Sequence, residues 1–222
     1  MSSYIAERRQ EEKDRRRAEI IDAAEDLYRE VGWDAVTMDS VAKRARLSRA
    51  LVYVYFKDKS DLHLAIAGRA METMRSRFVE ASARVRVGIE KIEAIGRAYI
   101  AFGYELPHYF DACARQQARM DDPEQSAGSP QDANLHALNN VHDPVVLALE
   151  AGQADGSIRK DLGDLKVTSR VLWGFTHGLI QIAMNKDKVL AQKGISVQQL
   201  TQQAIDMVKY MLAGPKPPPA AG

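Results

Sequence analysis

Hydrophobic side chains recur at three- and four-residue spacing along most of the chain, which is the period of an α-helix rather than of a strand. The clearest early stretch runs from Ile20 to Val31 and stops at Gly32, a residue type that commonly terminates helices. Thr37 and Ser48 are good N-caps for two short helices, and Asp58 is a good N-cap for a long fourth helix. No segment shows the two-residue period of a half-buried strand, so we predict an all-α protein.

Later hydrophobic stretches predict a larger helical region. Helices are expected at residues 89–105, 109–120, 135–154 and 165–186, and at 197–212. Residues 121–131 are polar and rich in turn-forming residues, which predicts a loop or lid. We therefore predict an N-terminal three-helix domain at 1–62, a larger helical domain at 63–213 and a proline-rich disordered tail at 214–222.

Composition is typical of a soluble globular protein, with 45% hydrophobic and 27% charged residues. Cys113 is the one cysteine, so no intramolecular disulfide can form, which fits a reducing compartment. The charged N-terminus lacks the apolar stretch of a secretory signal, and no apolar segment approaches the roughly 20 residues that span a bilayer. We expect a cytoplasmic protein that does not act at a membrane.

The distribution of charge is more informative than its total, because the net charge is only +1. Residues 35–60 contain six basic and two acidic side chains, a local charge of +4. A basic patch on a nearly neutral protein is typical of a nucleic-acid contact. Residues 7–19 carry six basic and five acidic side chains, a balance that favours a solvated helix or a disordered arm.

The two short helices are joined by a tight turn at residues 45–47, which is the layout of a helix-turn-helix. In this motif the second of the two helices lies in the major groove, with its N-terminal residues at the base edges. Arg49 can donate two hydrogen bonds to guanine, and Ala50 can contact a thymine methyl group. Tyr53 and Tyr55 can offer hydroxyls to phosphates, or pack as half-buried rings. The predicted DNA-binding residues are Thr37, Arg46, Ser48, Arg49, Ala50, Tyr53, Tyr55 and Lys59.

Three runs of sequence carry a resemblance to a known family: TMDSVA at 37–42, LVYVYF at 51–56, and Lys59 followed by Leu62. The stretch 32–62 closely resembles the DNA-binding domain of the TetR family of bacterial regulators. The resemblance implies that Tyr53 and Lys59 contact phosphates and that Tyr55 contacts DNA.

Arg46 departs from this pattern, since the family usually has glycine there. A side chain in a left-handed turn costs about 1 kcal/mol. We therefore expect either an adjusted turn or a compensating phosphate contact by Arg46.

The C-terminal half resembles the same family more loosely. The run ALEAGQADGSIRKD at 148–161, followed by a helix that carries His177 and Gly178, is similar to the family's penultimate-helix region. The resemblance implies a homodimer in which the last two long helices of each subunit form a four-helix interface. Gly174 and Gly178 are four residues apart and would allow a close helix approach. The predicted interface residues are Gly174, Gly178, Val197, Leu200, Ala204, Val208 and Met211.

The middle helices usually hold the effector in this family. The candidate lining residues are Tyr99, Phe102, Phe110, Cys113, Met120, His136, Trp173 and His177, although each could equally be an ordinary core residue. A lining of this kind would suit a neutral or mildly polar, largely apolar ligand. The histidines and the cysteine lack recognisable metal-ligand spacing, so we expect no metal and no cofactor.

Together these features predict a homodimeric, sequence-specific transcription regulator. Its expected partners are a palindromic double-stranded DNA operator, a second copy of the chain and a small-molecule effector that releases it from repression. An enzyme is not expected, because the sequence has no phosphate-binding glycine loop, no zinc-protease motif and no nucleophile with an evident base. A ligand-independent architectural or partner-recruiting DNA-binding protein of the same fold stays open.

Overall fold

Helices make up most of the two ranges that the computed structural model describes, residues 2–117 and 140–214. The predicted all-α class is confirmed. In these ranges the α-helices are α1 (Ser2–Val31), α2 (Met38–Arg44), α3 (Arg49–Tyr55), α4 (Lys59–Ala83), α5 (Gly88–Glu105), α6 (Pro107–Gln117), α7 (Asp143–Asp155), α8 (Leu165–Asn185), α9 (Asp187–Gln192) and α10 (Val197–Leu212). A short 3-10 turn, Trp33–Ala35, follows α1.

The short N-terminal helices have the caps that the sequence predicts. Gly32 ends α1 with a positive φ of 76°. The Thr37 hydroxyl accepts a hydrogen bond from the Ser40 backbone N–H, and the Ser40 hydroxyl accepts one from the Thr37 N–H, which together form a capping box on α2. The Ser48 hydroxyl accepts from the Leu51 N–H and caps α3. Each cap stabilises its helix by about 1 kcal/mol.

Some helix boundaries differ from the predicted ones. The charged N-terminal segment is helical from Ser2, as part of α1. Pro107 begins α6 as well as following α5, because proline is well suited to the first position of a helix. The short helix α9 was not predicted. The predicted loop at 121–131 lies outside the described residues, as does almost all of the predicted tail.

The helices fall into two compact units. The first comprises Met1–Ala70 and His108–Asn134, and the second comprises Met71–Pro107 and Leu135–Gly222. The core of the first unit contains fully buried side chains from α1 to α4 and from α6, among them Ile20, Val41, Val52, Phe56, Leu62 and Ala112. The two short helices α2 and α3 are thereby anchored by a few large apolar side chains.

The second unit has a close helix crossing at its centre. A Cβ atom added to Gly88, at the start of α5, would lie 2.1 Å from the Cα of Gly152 in α7. Glycine is therefore required at position 88, because a side chain would collide with the α7 backbone. Ile158 packs against Gly152 and pairs with Ala213 in an isolated antiparallel bridge beyond the end of α10. Within the described ranges, no helix combines the length and apolarity that a membrane span requires.

Candidate DNA-binding face and candidate effector cavity

The turn between α2 and α3 contains an arginine in a left-handed conformation. Arg46 has φ 56° and is the one non-glycine residue with positive φ among those that the structure describes. The turn is tight, because the Leu47 N–H donates to the Ala42 carbonyl at 2.9 Å. The position therefore has the conformation that favours glycine, and Arg46 occupies it with its side chain exposed.

Helix α3 buries one side and exposes the other. Val52 and Phe56 are buried, whereas Arg49, Ala50 and Tyr53 are exposed. We call these last three residues the exposed flank of α3. The sequence analysis assigned base and phosphate contacts to the same three residues. It did not single out Val54, whose side chain is 76% exposed and adds an apolar group beside Tyr53.

The Arg49 guanidinium lies beside two side chains of the first unit. Its Nε is 2.9 Å from Asp39 Oδ1, and its Nη1 is 3.4 Å from Asp39 Oδ2. Its Cζ lies 5.5 Å from the centroid of the Tyr53 ring. The arginine with the strongest case for base contact is therefore oriented by a carboxylate of α2 and by a ring of its own helix.

Lys59 is held at the start of α4. Its ammonium donates to the Asp34 carbonyl at 3.1 Å and lies 5.0 Å from the centroid of the Trp33 ring. Thr37 is exposed at the start of α2, and Tyr55 is half-buried at the end of α3. The eight predicted DNA-binding residues thus lie together in the first unit, and their contact with DNA stays a prediction.

Helix α6 is fastened to α1 by hydrogen bonds that the sequence analysis did not foresee. The Tyr28 hydroxyl donates to Asp111 at 2.7 Å, and the Tyr109 hydroxyl donates to Glu25 at 3.0 Å. Burial, reinforced by Glu25, raises the pKa of Tyr109 to about 12. Both hydroxyls are therefore protonated donors at neutral pH. More than 80 residues separate each pair along the chain, so no local pattern could have indicated them.

A cavity lies in the second unit between α4, α5, α7, α8 and α10. Its volume is about 70 Å³, and it lies within a wider pocket that opens to solvent. The aromatic side chains in its wall are Phe78, Tyr99, Trp173 and Phe175. Most of the remaining wall is aliphatic, which favours an apolar ligand.

The polar groups of the cavity wall are paired with one another. Trp173 Nε1–H donates to the Tyr99 hydroxyl at 3.1 Å, and that hydroxyl lies 2.8 Å from His177 Nδ1. His142 Nδ1 lies 3.0 Å from the hydroxyl of Ser169, which is fully buried. Burial lowers the pKa of His142 to about 4 and lowers that of His177 as well. Both imidazoles are therefore neutral at pH 7.

The cavity wall contains two charged side chains, and they form an ion pair with each other. Lys209 Nζ lies 2.5 Å from Glu93 Oε2. The hydrogen bond from Lys209 holds the pKa of Glu93 below its ordinary value. Because the two charges neutralise each other, a ligand inside the cavity would meet no net charge from the wall.

The residues predicted for an effector pocket are only partly brought together. Tyr99 and Trp173 line the cavity, and His177 contacts Tyr99 through a hydrogen bond. Phe102 is buried in the second unit but does not line the cavity. Phe110 and Cys113 are buried in the first unit. Burial raises the pKa of the Cys113 thiol to about 12. Met120 and His136 lie outside the described residues.

Sequence reasoning missed most of the cavity wall, including Phe78, His142 and Ser169. Phe78 stands in α4, where the helical pattern alone gives no sign of which residues line a cavity. His142 had been considered only as a metal ligand. The signal that could have found it is its place two residues before Pro144, at the start of a helix whose first turn faces α8.

Helices α8 and α10 expose several apolar side chains, which together we call the uncovered apolar face. It consists of Val167, Val171, Phe175, Ile182, Met207, Tyr210 and Met211. Tyr210 is the most exposed, at 86%. A Cβ atom added to Gly174 or Gly178 would meet no atom within 4 Å, so the space above both glycines is open.

The predicted interface residues divide between this face and the interior. Gly174, Gly178 and Met211 lie on or beside the uncovered apolar face, and Val197 and Leu200 are half-buried. Ala204 and Val208 line the cavity instead. The exposed side of α10 is formed by Met207 and Tyr210, which the sequence analysis did not name.

Comparison with known proteins connects the first unit to a family. Residues 20–66 match the family model of bacterial regulatory proteins of the TetR family. Over 100 residues the chain is 28% identical to the HTH-type transcriptional activator FasR of Mycolicibacterium smegmatis, covering 42% of this chain and 46% of FasR. It is 25% identical to the HTH-type transcriptional repressor NicS of Pseudomonas putida over 69% of this chain and 71% of NicS. Residues 20–66 therefore form a DNA-binding domain of the type found in the TetR family of bacterial regulators.

The TetR-family fold extends over both units. A protein of unknown function from Rhodococcus sp. RHA1 superposes with a TM-score of 0.73 at 21% identity, covering 89% of this chain and 95% of that one. FadR of Bacillus subtilis, solved in complex with stearoyl-CoA, superposes with a TM-score of 0.65 at 18% identity, covering 86% and 96%. At these identities the likeness establishes the fold. The family match includes every residue predicted to contact DNA.

Proposed function

We propose that this TetR-family protein is a homodimeric, sequence-specific DNA-binding regulator of transcription. The observation that carries the proposal is the exposed flank of α3, where Arg49, Ala50 and Tyr53 project from a helix anchored by Val52 and Phe56. An arginine and a small apolar side chain at the start of such a helix are suited to guanine and thymine edges in the major groove. Lys59 contributes a phosphate contact that is independent of sequence.

The uncovered apolar face of α8 and α10 supports a homodimer. Several exposed apolar side chains on two helices are unfavourable in water unless a partner covers them. A second copy would cover it through a two-fold axis, because the same patch is then buried on both subunits. Two copies of α3 related by that axis would contact a palindromic operator.

Repression with release by an effector is the mode of action that we propose. The cavity of the second unit would take a small, largely apolar molecule, because its wall is mainly aliphatic and aromatic and carries no net charge. Such a ligand releases DNA only if it binds the DNA-free state more tightly than the DNA-bound state. The two named relatives differ in their mode of regulation, and the match to the repressor NicS, which covers 69% of this chain against 42% for the activator FasR, is what favours repression.

A ligand-independent architectural protein of the same fold is the alternative that the cavity disfavours. A domain with a purely structural role would be expected to pack solidly at this position, whereas the chain leaves a cavity of about 70 Å³ with a mainly apolar wall. The titration of Trp173 fluorescence by a neutral apolar dye such as Nile red distinguishes the two functions. A Trp33→Phe background leaves Trp173 as the one indole of the chain. Saturable quenching is expected for a sensing domain, and no response for a purely architectural one.

The DNA-binding function is tested by in vitro selection of random duplex DNA on the purified protein at near-physiological salt. Enrichment of a palindrome is the expected result. Binding that is sensitive to salt but enriches no motif would favour the architectural alternative. A protein that retains no DNA under these conditions would contradict the proposal.

A further inference from the structure

The basic surface at residues 35–60 contains two carboxylates, and only one of them caps a helix. Asp58 caps α4, since its Oδ1 accepts a hydrogen bond from the Asp61 N–H at 2.8 Å. Asp39 caps no helix, because Thr37 and Ser40 already cap α2, although its carboxylate in the first turn of α2 also favours the helix dipole. An exposed carboxylate on a surface that meets phosphates weakens DNA binding.

The contact that Asp39 makes is with Arg49 of the next helix. Arg49 Nη1 donates a hydrogen bond to Asp39 Oδ2 at 3.4 Å, and Arg49 Nε lies 2.9 Å from Asp39 Oδ1 in an ion pair. A guanidinium has five N–H donors in a fixed fork, so the other donors stay available. Tyr53 lies beside the same group at 5.5 Å. The carboxylate and the ring together restrict where a long, flexible side chain can point.

We propose that Asp39 is a positioning residue for sequence recognition, which holds the Arg49 guanidinium ready for a base edge. This inference rests on the proposed function. An arginine that is restrained before binding loses less rotamer freedom when it binds. The carboxylate also repels nearby phosphates, so it directs Arg49 towards guanine O6 and N7 and away from the sugar-phosphate backbone. Asp39 thus lowers affinity for DNA in general and raises discrimination at one base pair.

The contact itself is measured first, in the DNA-free protein. Nitrogen-detected NMR of the Arg49 Nε–H group follows its hydrogen exchange and the rotation about the Nε–Cζ bond. Asp39→Asn should accelerate both several-fold. The control Asp26→Asn removes a carboxylate that pairs with Arg29 within α1, and it should change neither rate. Equal rates in the parent and in Asp39→Asn would overturn the inference.

Recognition is measured next, by selection of random duplex DNA with four proteins: the parent, Asp39→Asn, Arg49→Ala and the double variant. Asp39→Asn should reduce the base preference at one position of each half-site roughly fivefold. Its affinity for unrelated DNA should be unchanged or raised. In the Arg49→Ala background, the same substitution should leave all base preferences as they are, because the side chain that it positions is absent.

Two results would overturn the inference while leaving the proposed function in place. One is an Asp39→Asn protein that enriches the parental site with parental discrimination. The other is a change of base preference that persists in the Arg49→Ala background, since Asp39 would then contact a base itself, for example a cytosine amino group. A parent protein that binds DNA without enriching any site would instead refute the proposed function, and this inference with it.

Discussion

The two units of the chain use their polar side chains in opposite ways. In the first unit, Arg49 and Tyr53 are directed outward from a helix whose apolar side is buried. In the second, Tyr99 and His142 are turned inward and hydrogen-bond to neighbouring side chains. The first arrangement offers polar groups to an external partner. The second satisfies them internally and leaves apolar surface, in the cavity and on the uncovered apolar face, for partners of a different chemistry.

The difference also explains why DNA binding is easier to predict from the sequence than ligand binding. Contact with DNA needs exposed residues in a short, capped motif, and both the caps and the motif are local. A ligand cavity needs residues from five helices, whose assembly depends on contacts between distant parts of the chain. Substitutions in the first unit should therefore alter DNA recognition, and those in the second should alter assembly, ligand binding and stability.

The largest effect is expected from a charge placed on the uncovered apolar face. Val171→Glu would bring two carboxylates close to a two-fold axis, and it should raise the dissociation constant of the dimer about a hundredfold or more. Sedimentation equilibrium measures this directly. The matched control is Leu147→Glu on α7, since Leu147 is 63% exposed but lies outside that face. A Val171→Glu protein that dimerises like the parent would show that another surface forms the dimer.

The next largest effects distinguish two kinds of DNA contact within the first unit. Arg49→Ala should lose roughly tenfold to a hundredfold of discrimination at one position of the operator. Lys59→Ala should weaken binding to all sequences alike. It should also reduce the slope of log affinity against log salt concentration by about one. Fluorescence anisotropy on specific and unrelated duplexes at several salt concentrations separates the two. Parental behaviour of both variants would contradict the assignment of α3 to the major groove.

The sequence predicts the features that depend on residues close together in the chain, and it does not predict those that depend on distant residues. Thr37, Ser48 and Gly32 are capping signals that act within four residues, so the short helices and their ends are predicted correctly. The attachment of α6 to α1 through Tyr28 and Asp111 depends on residues 83 positions apart, and the sequence does not indicate it.

Helix α10 also shows what the sequence pattern leaves undetermined, namely which side of a helix is buried. Helix α10 has apolar residues on two sides, at Ala204 and Val208 and at Met207 and Tyr210. A helical period predicts that such sides exist, but it does not say which one turns inward. The structure turns Ala204 and Val208 towards the cavity and leaves Met207 and Tyr210 exposed.

We expect pH to have a moderate effect on the stability of the second unit. The folded-state pKa of His142, about 4, lies below the ordinary value of 6.5, because burial disfavours the imidazolium. The unfolded chain therefore binds more protons, and stability should be fully present above pH 6.5 and fall as the pH drops towards 4. The contribution is on the order of 2 kcal/mol. Urea unfolding at several pH values measures it.

The control for this pH effect is His142→Asn, which keeps a polar group near Ser169 but does not titrate in this range. Its stability should fall less steeply between pH 6.5 and 4 than that of the parent. An identical slope in the two proteins would mean that His142 is not responsible.

The smallest effect is expected at the turn of the helix-turn-helix. Arg46→Gly should raise the free energy of unfolding by up to about 1 kcal/mol, because glycine adopts the left-handed conformation without strain. Arg46→Ala removes the same charge but keeps the Cβ atom, so it should not be stabilised. If Arg46 contacts a phosphate, both variants should bind DNA more weakly. Equal unfolding free energies for the glycine and alanine variants would contradict the strain argument.

The central claim is that two copies of this chain place α3 in successive major grooves. The most direct test measures binding to an enriched duplex in which one half-site is scrambled at constant length. Analytical ultracentrifugation with labelled DNA gives the number of protomers bound and the affinity together. The account predicts two protomers, or a multiple of two, on the intact palindrome, and affinity at least roughly tenfold weaker on the scrambled duplex. Equal affinity for the two duplexes, or binding of a single protomer to the intact site, would contradict it.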